Sequence, residues 1–346
     1  MRRWNADVML EPGLNKAILS RLGKKCRNFS RKERAVAICL DGMSIKPELV
    51  YNAKKDIFYG FPYTGTQKKI ERNKTSILAT EAIVIMVSGL GPLSPNKFKN
   101  DTASRSGRFK QAVGYMLAHH SLETTKQLNM ITNAVQALKG RGLYPLVLIL
   151  DQCTTNVKMI HEAGAIAEKP IIMIDSAEIA VFYDNPHLIK NTKSMLSKHN
   201  AVFKGKIASF SHIRQLYLKD QICVPRLVPK LTEKLINPRP FMAMNVAQAT
   251  RTLSHSVAVG LEYYALSGDL PLSALTTASF VNFFDELFDT FNSKIDKSTA
   301  KLSRRSITQS SYHWEFLKEA KEILTNMHYT ANTCFDEKFA DRDSKN

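Results

Sequence analysis

The sequence predicts an α/β domain built on a mixed sheet, followed by an all-helical region. Two patterns carry that expectation. Up to about residue 195, short apolar runs with strand character alternate with stretches of helical spacing, and beyond it only helical spacing recurs. Two of the apolar runs also lead directly into an aspartate, Asp41 and Asp151. At 346 residues, 44% of them apolar, the chain is long enough to build a core for each region.

The first strand is AVAICL at 35–40, apolar and partly β-branched, which reaches Asp41 and is followed by Met43, Ser44 and Ile45. Residues 48–51 and 57–59 flank a polar turn at 52–56, the pattern of a hairpin. A third apolar run, 77–87, stops at Gly89 and Gly91, and the Ser-, Asn-, Lys- and Gly-rich stretch 92–108, with Pro92 and Pro95, reads as a loop. Leu122, Leu128, Ile131, Ala134, Val135 and Leu138 then mark a helix that closes at Gly140 and Gly142. It delivers the chain to PLVLIL at 145–150, a continuous apolar run suited to a buried central strand, which ends on Asp151. A short helix near 155–162 and two apolar runs, 171–174 and 179–183, precede Asp184-Asn-Pro-His187, a helix start with its cap and its first-turn proline. Residues 242–265, 280–292 and 312–327 have amphipathic helical spacing. The expected organisation is a basic arm at 1–34, the α/β region at 35–195, the helical region at 196–330 and a polar tail at 331–346.

Charge narrows the function. The chain has 49 Lys and Arg against 31 Asp and Glu, a net +18, which favours a polyanionic partner, nucleic acid above all. Within residues 1–34, Arg2, Arg3, Lys16, Arg21, Lys24, Lys25, Arg27, Arg31, Lys32 and Arg34 face only Asp7, Glu11 and Glu33. That run is either a solvated helix or a frayed terminus, or else a surface for non-specific phosphate contact. A membrane partner is the weaker reading. The longest apolar stretches, near 83–87 and 146–150, are too short to span a bilayer, and residues 1–10 have no apolar signal region. Cys26, Cys39, Cys153, Cys223 and Cys334 are widely separated, without a CxxC pair or a Cys/His ladder, which argues for a reducing compartment and against structural zinc.

Asp41 and Asp151 are the candidate catalytic residues. If the first strand lies beside the fourth, both carboxylates stand at one sheet edge, close enough to share Mg²⁺ or Mn²⁺, hard cations that prefer oxygen ligands and serve phosphoryl transfer. Strand-end aspartates are also common turn formers, and two of them alone leave both accounts open.

Motif comparison separates the two. DGMSIKPELVYN, from Asp41, resembles the DEMSIK motif of P element-type DNA transposases, the family that includes the THAP-domain transposases. DQCTTN, from Asp151, resembles their DQGSNN, and DNPHLIKN, from Asp184, their DPPHLIKN. PKLTEKLINPRPFMAMNVAQATRTLSHSVAVGLEYY and TTASFVNFFDELFDTFNSK are similar to the family's GTP-binding insertion. The matches run in order over most of residues 35–325.

The resemblance implies an RNase H-like fold with a DDE triad, interrupted by a helical insertion, in a nuclear protein that cuts and joins DNA with Mg²⁺ or Mn²⁺. It assigns Asp41 and Asp151 as metal-binding catalytic carboxylates. It also places GTP contacts at Lys230, Asp289, Asn292 and Ser293, which capping and surface charge explain equally well. The third carboxylate, a glutamate after the insertion, is expected beyond Asn346, so that cleavage by this chain alone would be absent or very weak. Glu315, Glu319 and Glu322, at i, i+4 and i+7, fit a solvated helix face better than the missing ligand. Gly42 replaces the family's acidic residue, and Cys153 a glycine. The 92–108 loop stands in place of a tryptophan-containing segment. The family's zinc-dependent DNA-binding domain has no counterpart in residues 1–34, which hold one cysteine and no histidine. His187 either packs at a helix start or touches phosphate with Lys190 and Asn191, and Trp314 is expected in the core. Apolar faces on the insertion helices suit a homo-oligomer or packing within one chain. The alternative to a transposase is a domesticated, non-catalytic nucleic-acid-binding protein, and a fragment of a longer active enzyme is a third account.

Overall fold

A computed structural model describes residues 11–53, 56–62, 77–91, 109–239, 245–293 and 301–331. The chain divides into two compact units, Met1–Asp184 and Asn185–Asn346. The division falls at the start of the helix that Asp184-Asn-Pro-His187 announces. The predicted loop at 92–108 and the polar tail from 332 onward lie outside the described residues.

The first unit is a seven-stranded mixed sheet with helices. In chain order its elements are β1 (Gly13–Leu14), α1 (Lys16–Cys26), β2 (Ala35–Ser44), the separate hairpin β3 (Val50–Asn52) and β4 (Ile57–Tyr59), β5 (Glu81–Gly89), and β6 (Lys110–Ala118). They continue with α2 (Thr124–Lys139), β7 (Tyr144–Leu150), α3 (Thr154–Glu162), β8 (Ile171–Ile174) and β9 (Ala177–Tyr183). The strand order is β1-β6-β5-β2-β7-β9-β8. β2 is central, antiparallel to β5 and parallel to β7.

Strand β6 is missing from the sequence expectation, which passed from loop to helix. Its text, KQAVGYMLA, is diluted by Lys110, Gln111 and Gly114. Gly114 has a packing reason: a Cβ there would lie 2.5 Å from the Gly13 carbonyl oxygen of β1. The basic stretch at 16–34 includes a helix with one buried face. Asn15 caps α1, its Oδ1 accepting from the Ile18 N–H at 2.9 Å, and Leu19, Leu22 and Cys26 on one helix face enter the main core. The same core holds Val36, Ile38 and Leu40 of β2 and Met130, Ile131, Ala134, Val135 and Leu138 of α2.

The second unit runs α4 (Asn185–Lys198), β10 (His199–Phe203), β11 (Lys206–Ala208), α5 (Phe210–Asp220), α6 (Glu233–Ile236) and α7 (Val246–Thr252). It continues through α8 (His255–Leu266), α9 (Ala274–Phe291), a 3₁₀ turn (Leu302–Arg304), α10 (His313–Asn326) and β12 (His328–Ala331). The expectation of an all-helical region is corrected here, because β11-β10-β12 form a three-stranded sheet. These strands are too short for alternation to register, and β12 returns from far along the chain to pair His199 with Ala331. The local clue was the Lys204-Gly205 turn, where both residues have positive φ, 49° and 73°. The predicted 242–265 helix is interrupted at Leu253 and Ser254, and Ser254 is the N-cap of α8. An aromatic cluster anchors this core, with the Phe203 ring 5.5 Å from both Phe280 and Phe283.

His212 joins α5 to α9 inside this core. Its Nδ1 lies 2.8 Å from the Thr277 hydroxyl and its Nε2 3.2 Å from that of Ser273. Burial lowers its pKa, because desolvation penalises the imidazolium. The folded state therefore binds fewer protons than the unfolded chain. This contribution is complete above the unfolded value of about 6.5 and is lost as pH falls through the lower folded value. Thermal melts at pH 7.5 and pH 5 should show a larger loss of midpoint in the wild type than in His212→Gln, and equal losses would refute the assignment.

Candidate active site

The two aspartates are brought together by strand register. β2 and β7 run parallel, with Val36 opposite Pro145, then Ala37 opposite Val147 and Cys39 opposite Ile149. The irregularity at Leu146 advances β7 by one residue, so that continuing the register two places beyond Cys39 sets Asp41 opposite Asp151. Without it, Asp41 would face Leu150 and the alternation of side chains would separate the carboxylates. Pro145, which has no N–H to give to the ladder, stands next to the irregularity. Adjacent strands are about 4.8 Å apart, so two carboxylates at opposed positions can share a cation.

Asp41 is solvent-exposed, whereas Asp151 is held by its neighbours. The Asp151 Oδ1 accepts from Asn156 Nδ2 at 2.6 Å and from the Cys153 N–H at 3.1 Å. Cys153 is the N-cap of α3, so the turn after β7 both starts that helix and fixes the carboxylate. Asn156 Oδ1 in turn accepts from Gln127 Nε2 of α2. Gln127 and Asn156 are both buried, so each needs the other as a partner. Sequence reasoning missed this pair. Its signal was present: Gln127 falls in phase with Ile131, Ala134 and Leu138, as a polar residue in an apolar helical stripe.

Glu81 is a third carboxylate beside the pair. Burial raises its pKa first, and the charge of Asp151 raises it further. Its Oε1 occupies the space that a side chain on Gly42 would take. The glycine that replaces the family's acidic residue thus leaves room for a carboxylate reaching over from β5. Among the described residues, no group of three or more His, Cys, Asp or Glu has the geometry to hold a metal ion. Glu315, Glu319 and Glu322 are on the exposed face of α10, and Glu319 pairs with Lys204 at 3.0 Å.

In the second unit, Asp289 is buried near the end of α9 and its carboxylate is taken up by cations of its own chain. Lys301 Nζ approaches Oδ2 at 2.9 Å and Arg304 Nε approaches Oδ1 at 2.8 Å, while Lys301 also binds Asp285. Burial lowers the Lys301 pKa, but its bonds to Asp285 and Asp289 outweigh that effect and leave it raised; the bond to Asp289 raises Arg304. Asn292 is the exposed C-cap of α9 and Ser293 follows it, whereas Lys230 is exposed on the α5–α6 connection. His187 is half-buried on α4, Lys190 points inward at 9% exposure, and Asn191 is exposed. Trp314 is not in the core. It is 55% exposed, with its indole N–H donating to the Thr308 carbonyl, because His313 and Ala320 take the inward face of α10.

Two family models match the chain in tandem. The TNP-like RNase H N-terminal domain covers residues 10–93 and 102–164, and the TNP-like GTP-binding insertion domain covers residues 186–304. The chain belongs to the family of P element-type transposases. It is 23% identical to DNA transposase THAP9 of Homo sapiens over 346 residues, which is 96% of this chain and 36% of that protein. It is 29% identical over 173 residues to the Transposable element P transposase of Drosophila melanogaster, 49% of this chain and 23% of the relative. The chain thus spans about a third or less of these curated relatives. Among solved structures, the Drosophila P element transposase strand transfer complex matches with a TM-score of 0.75 at 21% identity, over 93% of this chain and 65% of that one. That likeness establishes the fold.

In this transposase-type sheet, the Gln127–Asn156 pair is the testable support of Asp151. Asn156→Ala should cost about 1–3 kcal/mol in urea unfolding, because it leaves buried Gln127 without its amide partner and Asp151 Oδ1 with the Cys153 N–H alone. Adding Gln127→Ala should cost less than the sum of the single changes, and strict additivity would show that the two side chains do not act together.

Proposed function

We propose that the chain supplies the first two carboxylates of a DDE-type phosphoryl-transfer core acting on DNA, as a P element-type transposase or a protein derived from one. The observation that supports this reading is the β2–β7 register, which pairs Cys39 with Ile149 and, continued by two residues, reaches Asp41 and Asp151 together. The donor set fits Mg²⁺ or Mn²⁺: both groups are hard carboxylate oxygens, and Asp41 is open to solvent. Asp41 and Asp151 would hold such an ion, which when bound would supply Lewis-acid assistance to phosphoryl transfer. Asn156 and the Cys153 N–H hold one oxygen of Asp151, which limits its rotation and leaves the other for a ligand. Glu81 adds negative charge nearby, which favours a cation at this end of the sheet.

DNA as substrate is supported by the +18 charge and by the solved neighbour, a strand transfer complex. A nuclear location follows from that substrate. The domains proposed are the RNase H-like core and an insertion that binds GTP, with Asp289, Asn292, Ser293 and Lys230 as its contacts. A guanine edge reaches Asp289 only when Lys301 or Arg304 shifts aside, so nucleotide binding would compete with the internal ion pairs. Self-association through the insertion's exposed apolar residues belongs to the same proposal. The second reading is a non-catalytic DNA-binding protein, for which the +18 charge alone would suffice.

Two measurements test the two sites. Mn²⁺ binding, followed by electron paramagnetic resonance, should fall at least about tenfold in Asp41→Ala and in Asp151→Ala, or about 1.4 kcal/mol. Unchanged Mn²⁺ affinity in both variants sinks the metal-site reading. GTP should raise the melting midpoint of the wild type more than ATP does, and Asp289→Asn should remove that difference. A GTP shift that survives in the variant moves the guanine contact elsewhere.

A further inference from the structure

The first unit exposes Lys16, Lys24, Arg27, Arg31 and Lys32 along α1 and the turn that follows it. The carboxylate within residues 16–34, Glu33, is 5% exposed and accepts the Ser30 N–H at 2.7 Å. Arg34 serves the fold, donating to the carbonyls of Phe29 and Arg27. Arg141 joins the same face. A Cβ on Gly23 would lie 3.2 Å from its Cγ, and its Nη1 is held by the Ala137 carbonyl at 2.6 Å. The surface is therefore cationic over the length of α1, about 16 Å at 1.5 Å per residue.

Its place in the sheet matters. The Arg34 carbonyl accepts from the Tyr144 N–H at 2.8 Å, so the turn that follows α1 adjoins the amino ends of β2 and β7, while α1 begins beside β6. Asp41 and Asp151 stand at the other end, six residues along β2 from Ala35, or about 20 Å at roughly 3.3 Å per residue. We infer that the α1 face is a contact surface for the sugar-phosphate backbone of duplex DNA, separate from the aspartates. The inference rests on the reading of the chain as a DNA-processing core. A membrane does not fit, because Leu19, Leu22 and Cys26, the apolar side of α1, are already spent in the core. Phosphates suit the face: an axial length of 16 Å corresponds to about five base pairs of B-DNA at 3.4 Å each.

The test is the salt dependence of binding to a duplex of about three helical turns, read by fluorescence anisotropy. In Lys24→Gln/Arg27→Gln/Arg31→Gln, the slope of log K against log salt should become shallower by about 2 to 3, at roughly 0.9 per phosphate contact. The charge-preserving Lys24→Arg/Arg27→Lys/Arg31→Lys should keep the wild-type slope. If the triple variant melts below the wild type, Lys24→Gln and Arg31→Gln are read singly, each expected to lower the slope by about 0.9. An unchanged slope overturns the inference. So does an equal loss on duplex RNA, or on phosphatidylserine vesicles. Asp41→Ala/Asp151→Ala should bind DNA with the wild-type slope, and the glutamine variant should keep wild-type Mn²⁺ affinity. A slope change without an Mn²⁺ site thus removes the metal reading and leaves the DNA surface standing.

Discussion

The parallel pairing of β2 with β7 is the constraint on which the first unit depends. It joins the antiparallel half of the sheet, β5 and β6, to the parallel half ending in β9 and β8, and it fixes which residues share an edge. A parallel ladder with a proline in it loses a donor, and the local irregularity after Pro145 shifts the two strands by one residue. Alternation turns that single step into a chemical outcome, since a side chain displaced by one position points to the opposite face. Asp151 belongs to the Asp41 edge only because the shift occurs.

Placing a carboxylate is not the same as holding it. Asp151 leaves the strand and would be free to rotate, but the start of α3 gives it a backbone N–H and the Asn156 amide. Asn156 is itself oriented by Gln127, so the position of the carboxylate is tied to the packing of α2 against the sheet. A buried amide pair of this kind costs stability if either member is lost, which makes it a rigid support. Glu81 has the opposite character: it is partly exposed, on a long side chain, in space that Gly42 leaves open.

Much of this was legible because the relevant sequence signals are local. AVAICL and PLVLIL announce buried strands, the aspartates follow them at once, and the 122–138 stripe announces α2. What was missed depends on partners far along the chain. β6 is diluted by Lys110, Gln111 and Gly114, and becomes a strand by pairing with β5 and β1. β10 and β12 need each other across more than a hundred residues. The basic run at 16–34 carried a second pattern, Leu19, Leu22 and Cys26, that its charges masked. Trp314 went the other way, since a large aromatic on an amphipathic helix reads as core until the helix phase is known. For the site, both aspartates were legible, whereas the register irregularity and the approach of Glu81 to Gly42 are tertiary facts with no sequence signature.

The separation of charge within the first unit has its own logic. Cations adjoining the aspartates would compete with a divalent ion for the same oxygens, while cations too far away would not act on the same ligand. At physiological ionic strength the screening length is about 8 Å. The roughly 20 Å along β2 from Ala35, where the basic turn ends, to Asp41 is more than two such lengths. Arg31 and Lys32 of that turn therefore act little on the field at the carboxylates. A polyanion bridges that distance where a small anion cannot, because its charges are covalently linked along its length. Among anionic partners, the arrangement favours a long, regularly charged one, and it allows metal affinity and backbone affinity to be set by different residues of one sheet.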